Sequence, residues 1–273
     1  MKKKVFLFGL LFSLLLLCGC GVNLTSTVKL NKDFSGTRVM SCTFSSRDFH
    51  SYFKGSKEDL NKLIKESCPD ALTYTSSSSD GNDTYTFYLR FSSLDDYKKK
   101  VRDLLNFSPE ITYEYGDSPF VSGLIYKENF TSKDLMTWLY TALYEGKYID
   151  KDSSSDLWDL KSTKISFLGK TYETKDKINI DEMAYVPLSS IHIDTKTKKS
   201  GKLARVIEFD LPQQTLDQNA GKIRSYFAGN DITWENTSDG KTLCISFDAN
   251  NFSDLAQLSL IHISEPTRRT PIS

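Results

Sequence analysis

Histidine, cysteine and excess charge are scarce in this sequence, and each shortage argues against a class of function. Only three histidines occur among 273 residues, and neither an HExxH zinc motif nor a lipase-type GxSxG motif is present. The five cysteines form no CxxC pair, which is the spacing typical of zinc and thiol redox sites. Basic and acidic side chains number 35 each, so there is no basic excess to attract nucleic acid. We therefore expect no catalytic residue, metal site, cofactor or nucleic-acid partner.

The remaining composition is that of an ordinary globular protein. Hydrophobic residues make up 39% and charged residues 26% of the chain, with 14 glycines and 7 prolines, which excludes collagen-like, coiled-coil and wholly disordered chains. The length allows one large domain or two of modest size.

The amino terminus predicts export. Three lysines at positions 2–4 precede an apolar stretch from Val5 to Leu17. As a helix, 13 residues rise only about 20 Å, which is short for a bilayer but typical of a signal peptide. Residues 1–19 are therefore interpreted as a signal peptide.

The end of this stretch resembles the lipobox of bacterial lipoproteins, in which an aliphatic residue and two small residues precede the modified cysteine. The sequence reads Leu17-Cys18-Gly19-Cys20. Cys20 fits better than Cys18 because small Gly19 precedes it, whereas bulky Leu17 precedes Cys18. The resemblance implies cleavage between Gly19 and Cys20 and diacylation of Cys20, and two acyl chains anchor a protein durably. The alternative is a plain secretory signal with two incidental cysteines.

The carboxyl-terminal residues are interpreted as non-native sequence. Residues 258–268 resemble the conceptual translation of a sequencing adapter, and we treat 258–273 as a non-native tail; a genuine frayed tail is the alternative. His262, Arg268 and Arg269 are accordingly left out of functional argument. Without residues 1–19 and 258–273 the chain carries 30 basic and 34 acidic side chains, a net charge of −4. We expect the native chain to continue beyond Gln257, into a membrane span or a further domain.

Between these ends, the hydrophobic pattern predicts an α+β fold in which a ββαββα order occurs twice. Both copies should form antiparallel sheets with helices on one face, joined by an α+β connecting segment. The expected boundaries are 20–106 for copy one, 107–188 for the connecting segment and 189–257 for a truncated copy two. Arg38-Val39 and Arg205-Val206 are matching landmarks. Two pairs of turns also match: Ser35-Gly36 with Ser200-Gly201, and Ser79-Asp80-Gly81 with Ser238-Asp239-Gly240.

Individual elements follow from alternation and from caps, such as the capping-box spacing of Ser56 and Asp59. Copy one is predicted to have strands at 24–30, 37–44, 71–75 and 84–91, helices at 56–66 and from Ser93, and a polar turn at 76–83. Copy two is predicted to have strands at 190–195, 203–210, 232–234 and 243–247, with helices at 213–227 and from Ser253. The connecting segment is predicted to have a helix capped by Thr131 and strands at 121–127, 164–168 and 171–180.

Several residues with chemical potential have a plain structural interpretation. His50 and His192 match no ligand or catalytic spacing and are expected in structural or exposed positions. An oxidising compartment permits a Cys42–Cys68 disulfide, but Ile207, Phe209 and Leu211 of copy two match the face of Cys42, which favours a buried thiol. Two lysine clusters, 98–100 and 196–199, could contact anionic lipid headgroups, although exposed faces commonly carry such runs.

Aromatic and acidic residues also allow two interpretations. Trp138, Trp158 and Trp234 could line a ligand groove, but core packing is the default for aromatic side chains. The pairs Asp95-Asp96 and Asp181-Glu182 are explained by helix ends or loops, and a sequence alone does not place two carboxyl groups face to face.

Residues 20–44, and mainly the run from Cys20 to Arg38, resemble the start of the LppM-like family of bacterial lipoproteins. In that family a lipobox leads directly into a strand, a Ser-Gly turn and a second strand. The resemblance implies an extracytoplasmic α+β domain with a curved sheet around helices, often followed by a carboxyl-terminal membrane segment. It also implies binding of envelope lipids or glycolipids, as in mycobacterial members. This chain departs from the family in its long middle segment and its duplication.

Taken together, the sequence predicts a non-enzymatic, lipid-anchored binding or interaction protein on the outer face of the bacterial cytoplasmic membrane. Its partners would be the membrane, through the diacylglyceryl anchor on Cys20, and an envelope lipid, glycan or protein. One alternative is an envelope hydrolase with catalytic residues partly beyond the truncation. Another is the solute-binding lipoprotein of a transporter, which the paired strands disfavour because such folds alternate strand and helix.

Overall fold

The structure is a computed structural model that describes residues 22–47, 53–105, 107–150, 157–227 and 231–255. In these ranges the chain has an α+β fold, which confirms the predicted class. It divides into two compact units. Of the described residues, unit 1 contains those up to Tyr113 and those from Tyr126 to Asn179, and unit 2 contains Glu114–Ile125 and those from Ile180 onward.

Unit 1 contains a six-stranded sheet with the order β3-β4-β2-β1-β7-β8. Its strands are β1 (Val22–Leu30), β2 (Gly36–Ser45), β3 (Thr73–Ser79), β4 (Asn82–Phe91), β7 (Trp158–Phe167) and β8 (Lys170–Thr174). All neighbours are antiparallel except β1 and β7, which are parallel. The pairs within copy one are antiparallel, as predicted, and the parallel pair arises because a strand from the connecting segment joins the sheet beside β1.

Alternation determines which face of this sheet is buried. In β2, the even-numbered residues from Arg38 to Phe44 are buried, whereas their neighbours are partly exposed. Met40 lies opposite Phe87 of β4, so both strands direct large side chains to one side. The other face carries hydroxyl pairs such as Thr43 and Thr84, whose oxygens lie 3.0 Å apart. One face is thus a core face and the other is polar.

Within the described part of unit 1, three helices contact the core face. They are α1 (Lys57–Ser67), α2 (Leu94–Leu105) and α3 (Thr137–Glu145), the last preceded by a 3-10 turn at Asp134–Met136. Asn61 of α1 reaches Tyr85, Tyr97 of α2 contacts Phe91, and Trp138 of α3 contacts Phe87. The helix predicted after Thr131 is thus divided, because Thr131 and Asp134 hydrogen-bond to each other ahead of a 3-10 turn and the α-helix starts later.

Helix α1 begins with the predicted capping box. The amide of Asp59 donates to Ser56 Oγ at 3.2 Å, and the amide of Ser56 donates to Asp59 Oδ2 at 2.8 Å. Two backbone donors without helical partners are satisfied in this way. The hydrogen bonds also lower the pKa of the Asp59 carboxyl, against a small opposing effect of burial.

Replacing Ser56 with alanine is expected to lower the free energy of unfolding by about 1 kcal/mol, because one amide of the first turn loses its acceptor. Urea unfolding followed by circular dichroism would measure the change. Ser67→Ala, at the last residue of the same helix, is the control and should change stability by less than about 0.5 kcal/mol. Equal losses for the two variants would contradict a role for the cap.

Unit 2 contains a four-stranded sheet with the order β11-β12-β14-β13. Its strands are β11 (Ser190–Thr197), β12 (Leu203–Pro212), β13 (Asp231–Asn236) and β14 (Gly240–Ala249), and helix α4 (Gln213–Tyr226) joins β12 to β13. The core combines α4 residues such as Leu216 and Ile223 with strand residues such as Ile207 and Ile245. Of the last predicted helix, residues 252–255 are helical, and the rest lies outside the described ranges.

The two sheets confirm the predicted repetition as far as the ββαββ part. Read from the other edge, β13-β14-β12-β11 is the same order as β3-β4-β2-β1. The central strands pair along ten residues in both copies, from Gly36–Phe91 to Ser45–Asn82 and from Leu203–Ala249 to Pro212–Gly240. This register makes Arg38 equivalent to Arg205, as predicted.

The two pairs of turns predicted as landmarks do not occupy equivalent positions in the two sheets. Gly36 is the first residue of β2, whereas Gly201 precedes β12 at φ +80°. Gly240 starts β14 and corresponds to Asn82, one residue after Gly81. Turn residues recur wherever a hairpin reverses, so they do not need to be equivalent positions.

The predicted polar turn at 76–83 is also wrong over most of its length. Ser76–Ser79 continue β3, and only Asp80 and Gly81, both at positive φ, form the turn. A run of serines has no apolar alternation, but hydrogen bonds to β4 keep it extended at the edge of the sheet.

The rest of the connecting segment forms a small sheet. Its strands are β5 (Ile111–Asp117), β6 (Val121–Glu128), β9 (Asn179–Asp181) and β10 (Ala184–Tyr185). The order is β10-β6-β5, and β9 also pairs with β6. Gly123 in β6 has φ +120°, and a Cβ there would lie 2.0 Å from the Glu182 carbonyl oxygen, so only glycine fits.

Candidate functional site

The most strongly polar cluster of unit 1 is buried around Arg38. The side chain of Arg38 is 1% exposed and that of Glu128 is 0% exposed, and Nη1 of Arg38 donates to Oε2 of Glu128 at 2.9 Å. Strand β2 directs Arg38 into the core face, and Glu128 ends β6. Nη2 also donates to Ser132 Oγ at 3.3 Å, and the Phe130 ring lies 5.6 Å from the guanidinium carbon.

Two tyrosines complete this arginine cluster. Tyr97 of α2 donates to Glu128 Oε1 at 2.7 Å, and Tyr126 of β6 donates to the same oxygen. Arg38 Nη1 also donates to the Tyr97 hydroxyl oxygen. The carboxylate thus receives hydrogen bonds from three side chains, which is what a buried charge requires.

The electrostatics keep the Arg38 guanidinium charged. Burial alone lowers the pKa of the Arg38 guanidinium, but the charge of Glu128 reverses the effect and raises the pKa above its usual range. Burial raises the pKa of both tyrosines, so they stay neutral donors. The Arg38 guanidinium and the hydroxyls of Tyr97 and Tyr126 therefore do not change protonation near neutral pH. Since the cluster is also closed to solvent, its role is to hold β2, α2 and β6 together rather than to meet a ligand.

One open polar site of unit 1 is a groove between α1 and the edge strand β3, called the serine groove below. It has a volume of about 200 Å³. Its lining includes Lys57, Asn61, Ser76, Ser78, Asp83 and Tyr85. Ser76 and Ser78 lie opposite Tyr85 and Asp83 in the sheet, so they belong to the core face. Because serine is small, the space between β3 and α1 stays open.

Hydrogen bonds hold the groove side chains in place. Lys57 forms an ion pair with Asp83 and donates to Ser78 Oγ at 2.6 Å. Tyr85 donates to Asn61 Oδ1 at 2.8 Å. Burial and the nearby Asp83 raise the pKa of Tyr85 to about 12. Partial burial raises the pKa of Asp83, but hydrogen bonds from Lys57 and Ser78 outweigh it and hold that pKa below its usual value.

The residues singled out by the sequence do not converge on one site. Gly19, Cys20 and His50 lie outside the described residues. His192 is exposed on β11, where a strand was predicted. Cys42 is fully buried on the core face, as the comparison with copy two favours, and burial raises the pKa of its thiol. Cys42, Cys68 and Cys244 are free thiols, so the disulfide alternative is not formed.

The lysine clusters are partly neutralised. Ion pairs join Lys100 to Asp96 at 3.0 Å, Lys196 to Asp194 at 2.6 Å and Lys198 to Asp248 at 2.6 Å. Asp96 also accepts the amide of Ser92 at 2.9 Å, which fits the predicted role at a helix start. These contacts favour the interpretation of the lysines as an exposed face.

The tryptophans contribute mainly to packing. Trp138 contacts Phe87 edge-on, with ring centres 5.3 Å apart, and Trp158 contacts Phe44 at 6.4 Å. Trp234 packs against the core of unit 2, with the Arg224 guanidinium 5.6 Å from its ring.

A basic residue at an apolar position of β2 is the one sign of the arginine cluster in the sequence. Glu128 is 90 residues away, so its pairing with Arg38 depends on the tertiary fold. The serine groove was not predicted, because a run of serines is typical of a turn. Among the described residues, no group of three His, Cys, Asp or Glu side chains is placed to hold a metal ion. In the same ranges, no helix is long and apolar enough to cross a bilayer.

The fold and the groove define an α+β protein that contains a repeated ββαββ sheet. No protein-family model matches the chain, and no curated protein matches it. Among solved structures, it is similar to the NMR structure of the folded domain of the LppM protein of Mycobacterium tuberculosis. The identity is 7%, the match covers 85% of this chain and 90% of that domain, and the TM-score is 0.25. The likeness is weak and supports no functional argument.

Proposed function

We propose that the protein is a non-enzymatic, lipid-anchored binding protein on the outer face of the bacterial cytoplasmic membrane. The observation that carries this proposal is the run Leu17-Cys18-Gly19-Cys20 after a basic start and an apolar stretch. Signal peptides of lipoproteins have this order, and a diacylated cysteine gives durable anchoring.

The position of the first strand fits such an anchor. Strand β1 begins at Val22, two residues after Cys20, and two residues span at most about 8 Å. Val22 is buried, and its amide donates to the Leu157 carbonyl oxygen at 2.7 Å. An acylated Cys20 would therefore hold unit 1 close to the membrane surface.

The binding role is supported by the open polar groove on this unit. The transporter alternative predicts regular alternation of strand and helix, whereas both copies here pair strands before and after each helix. No specific observation in the described residues favours the hydrolase alternative.

Cys20→Ala is expected to abolish lipid attachment, because the modified thiol is lost. Metabolic labelling with an alkyne fatty acid would measure attachment, and fractionation would measure membrane association. The wild-type chain should be labelled and sediment with membranes, and the variant should lose the label entirely.

Cys18→Ala is the matched control, since it removes the neighbouring thiol and leaves Cys20 in place. It should retain the wild-type label. Labelling that persists in Cys20→Ala, or an unlabelled wild-type chain, would overturn the proposed anchoring.

A further inference from the structure

The two copies of the ββαββ unit differ at one position of the edge strand. Ser76 of β3 pairs with Tyr85, and Trp234 of β13 pairs with Leu243. Tyr85 and Leu243 are equivalent, because the ten-residue pairings of the central strands place them opposite Cys42 and Phe209. Ser76 and Trp234 therefore occupy the same place in the two sheets.

The consequence of this difference is that the space between helix and edge strand stays open in copy one. In copy two, Trp234 packs against the core and Arg224 of α4 lies over its ring, so indole fills the space between helix and edge strand. In copy one, serine leaves the same space open as the serine groove. The fold therefore tolerates a large side chain at this position, and the small serine of copy one leaves the space open.

The chemistry of the groove limits its ligand. Lys57 and Asp83 form an internal ion pair, so the groove offers little net charge to an ionic ligand. An acyl chain placed there would separate an ion pair, serine hydroxyls and Asn61 from water without replacing their hydrogen bonds, which is costly. The groove offers donors and acceptors within a small area, and sugar hydroxyls both donate and accept.

From this geometry we infer that the serine groove binds a glycan, with a single sugar unit seated between Ser76 and Asn61. This inference rests on the proposed function, since an envelope location exposes the groove to cell-surface glycans. The hydroxyls of Ser76 and Ser78 and the amide of Asn61 make the contacts with the sugar, and the ion pair of Lys57 and Asp83 fixes one wall.

The test is a titration of the full-length chain in detergent micelles, followed by saturation-transfer NMR. The probes are a peptidoglycan disaccharide of N-acetylglucosamine and N-acetylmuramic acid, and maltotetraose as a glycan without acetamido groups. The wild-type chain is expected to bind at least one of them. Ser76→Trp, which copies the residue of copy two, should weaken binding by about tenfold or more.

Thr75→Trp is the matched control, because Thr75 is exposed on the opposite face of the same strand. It should bind as the wild-type chain does. Asn61→Ala adds no bulk and should also weaken binding, so the result does not depend on whether Ser76→Trp folds normally. Circular dichroism would check the folding of each variant.

Two outcomes would overturn the inference: neither glycan binds, or Ser76→Trp binds as well as the wild-type chain. If neither glycan binds, phosphatidylglycerol vesicles are the next probe, and the chain could bind these alone. The last result would identify a lipid surface instead. Sugar binding does not require acylation of Cys20, and labelling of Cys20 does not require the groove. Failure of one proposal is therefore distinguishable from failure of the other.

Discussion

Replacing Glu128 with alanine is expected to lower the free energy of unfolding of unit 1 by about 3–5 kcal/mol. The loss is large because the variant leaves the Arg38 guanidinium charged and buried without its counter-ion. Tyr97 and Tyr126 also lose their common acceptor. Chemical denaturation of the variant and the wild-type chain would measure the difference.

The control for this prediction is an ion pair at the surface of the same unit. Asp150 pairs with Lys54, and their side chains are 70% and 58% exposed. Asp150→Ala should cost less than about 1 kcal/mol, because water replaces the lost partner. If both substitutions had similar effects, the buried pair would not be the strong constraint that its geometry indicates.

A double substitution separates the cost of an unpaired charge from the value of the pair. Arg38→Met with Glu128→Leu removes both charges and keeps apolar volume in place. It should destabilise less than Glu128→Ala, because no buried charge is left alone. A double variant that is less stable than Glu128→Ala would contradict this reasoning.

Phe34→Ala is expected to cost about 3–5 kcal/mol, because it empties the centre of an aromatic cluster. Phe34 is 1% exposed and contacts four rings, with centroids at 4.7–5.6 Å. Its backbone has φ +60°, an unfavourable region for a residue with a Cβ.

This backbone conformation reverses the usual order of stability of alanine and glycine variants. Phe34→Gly should be more stable than Phe34→Ala by about 1 kcal/mol, because glycine adopts the left-handed region without strain. At Phe44, buried in the extended strand β2, glycine should instead be worse than alanine by about 0.5–1 kcal/mol. Thermal unfolding of the four variants would measure both differences, and the same order at both positions would refute the role of the φ angle.

The sequence predicted those parts of the fold that local pattern encodes. Alternation located β2 and β4, the capping box located α1, and the repeated order of elements anticipated two sheets built from the same ββαββ succession. The equivalence of Cys42 with Phe209 also came from alternation, and it explains why a cysteine lies in the core. In each case neighbours within about ten residues carry the signal.

Features that depend on distant partners escaped prediction. The run Ser76–Ser79 is extended because β4 lies beside it, and nothing in the run itself encodes that. Likewise, Arg38 is tolerated in the core only because Glu128 lies in reach. The serine groove required both sheets to be aligned residue by residue before Trp234 could be compared with Ser76. Anchoring at Cys20 stays a prediction from the sequence.

The parallel pairing of β1 with β7 has a consequence for the order in which the protein folds. Val22 pairs with Trp158 and Leu30 with Phe167, so the first strand lacks this neighbour until residues 158–167 have been made. A chain that emerges from its amino terminus can close the β1–β2 hairpin early, but one side of β1 stays open. Contacts between such distant residues slow folding and leave strand edges exposed to misassembly. The sheet of unit 1 is therefore complete only after β7 has paired with β1 and β8 has paired with β7.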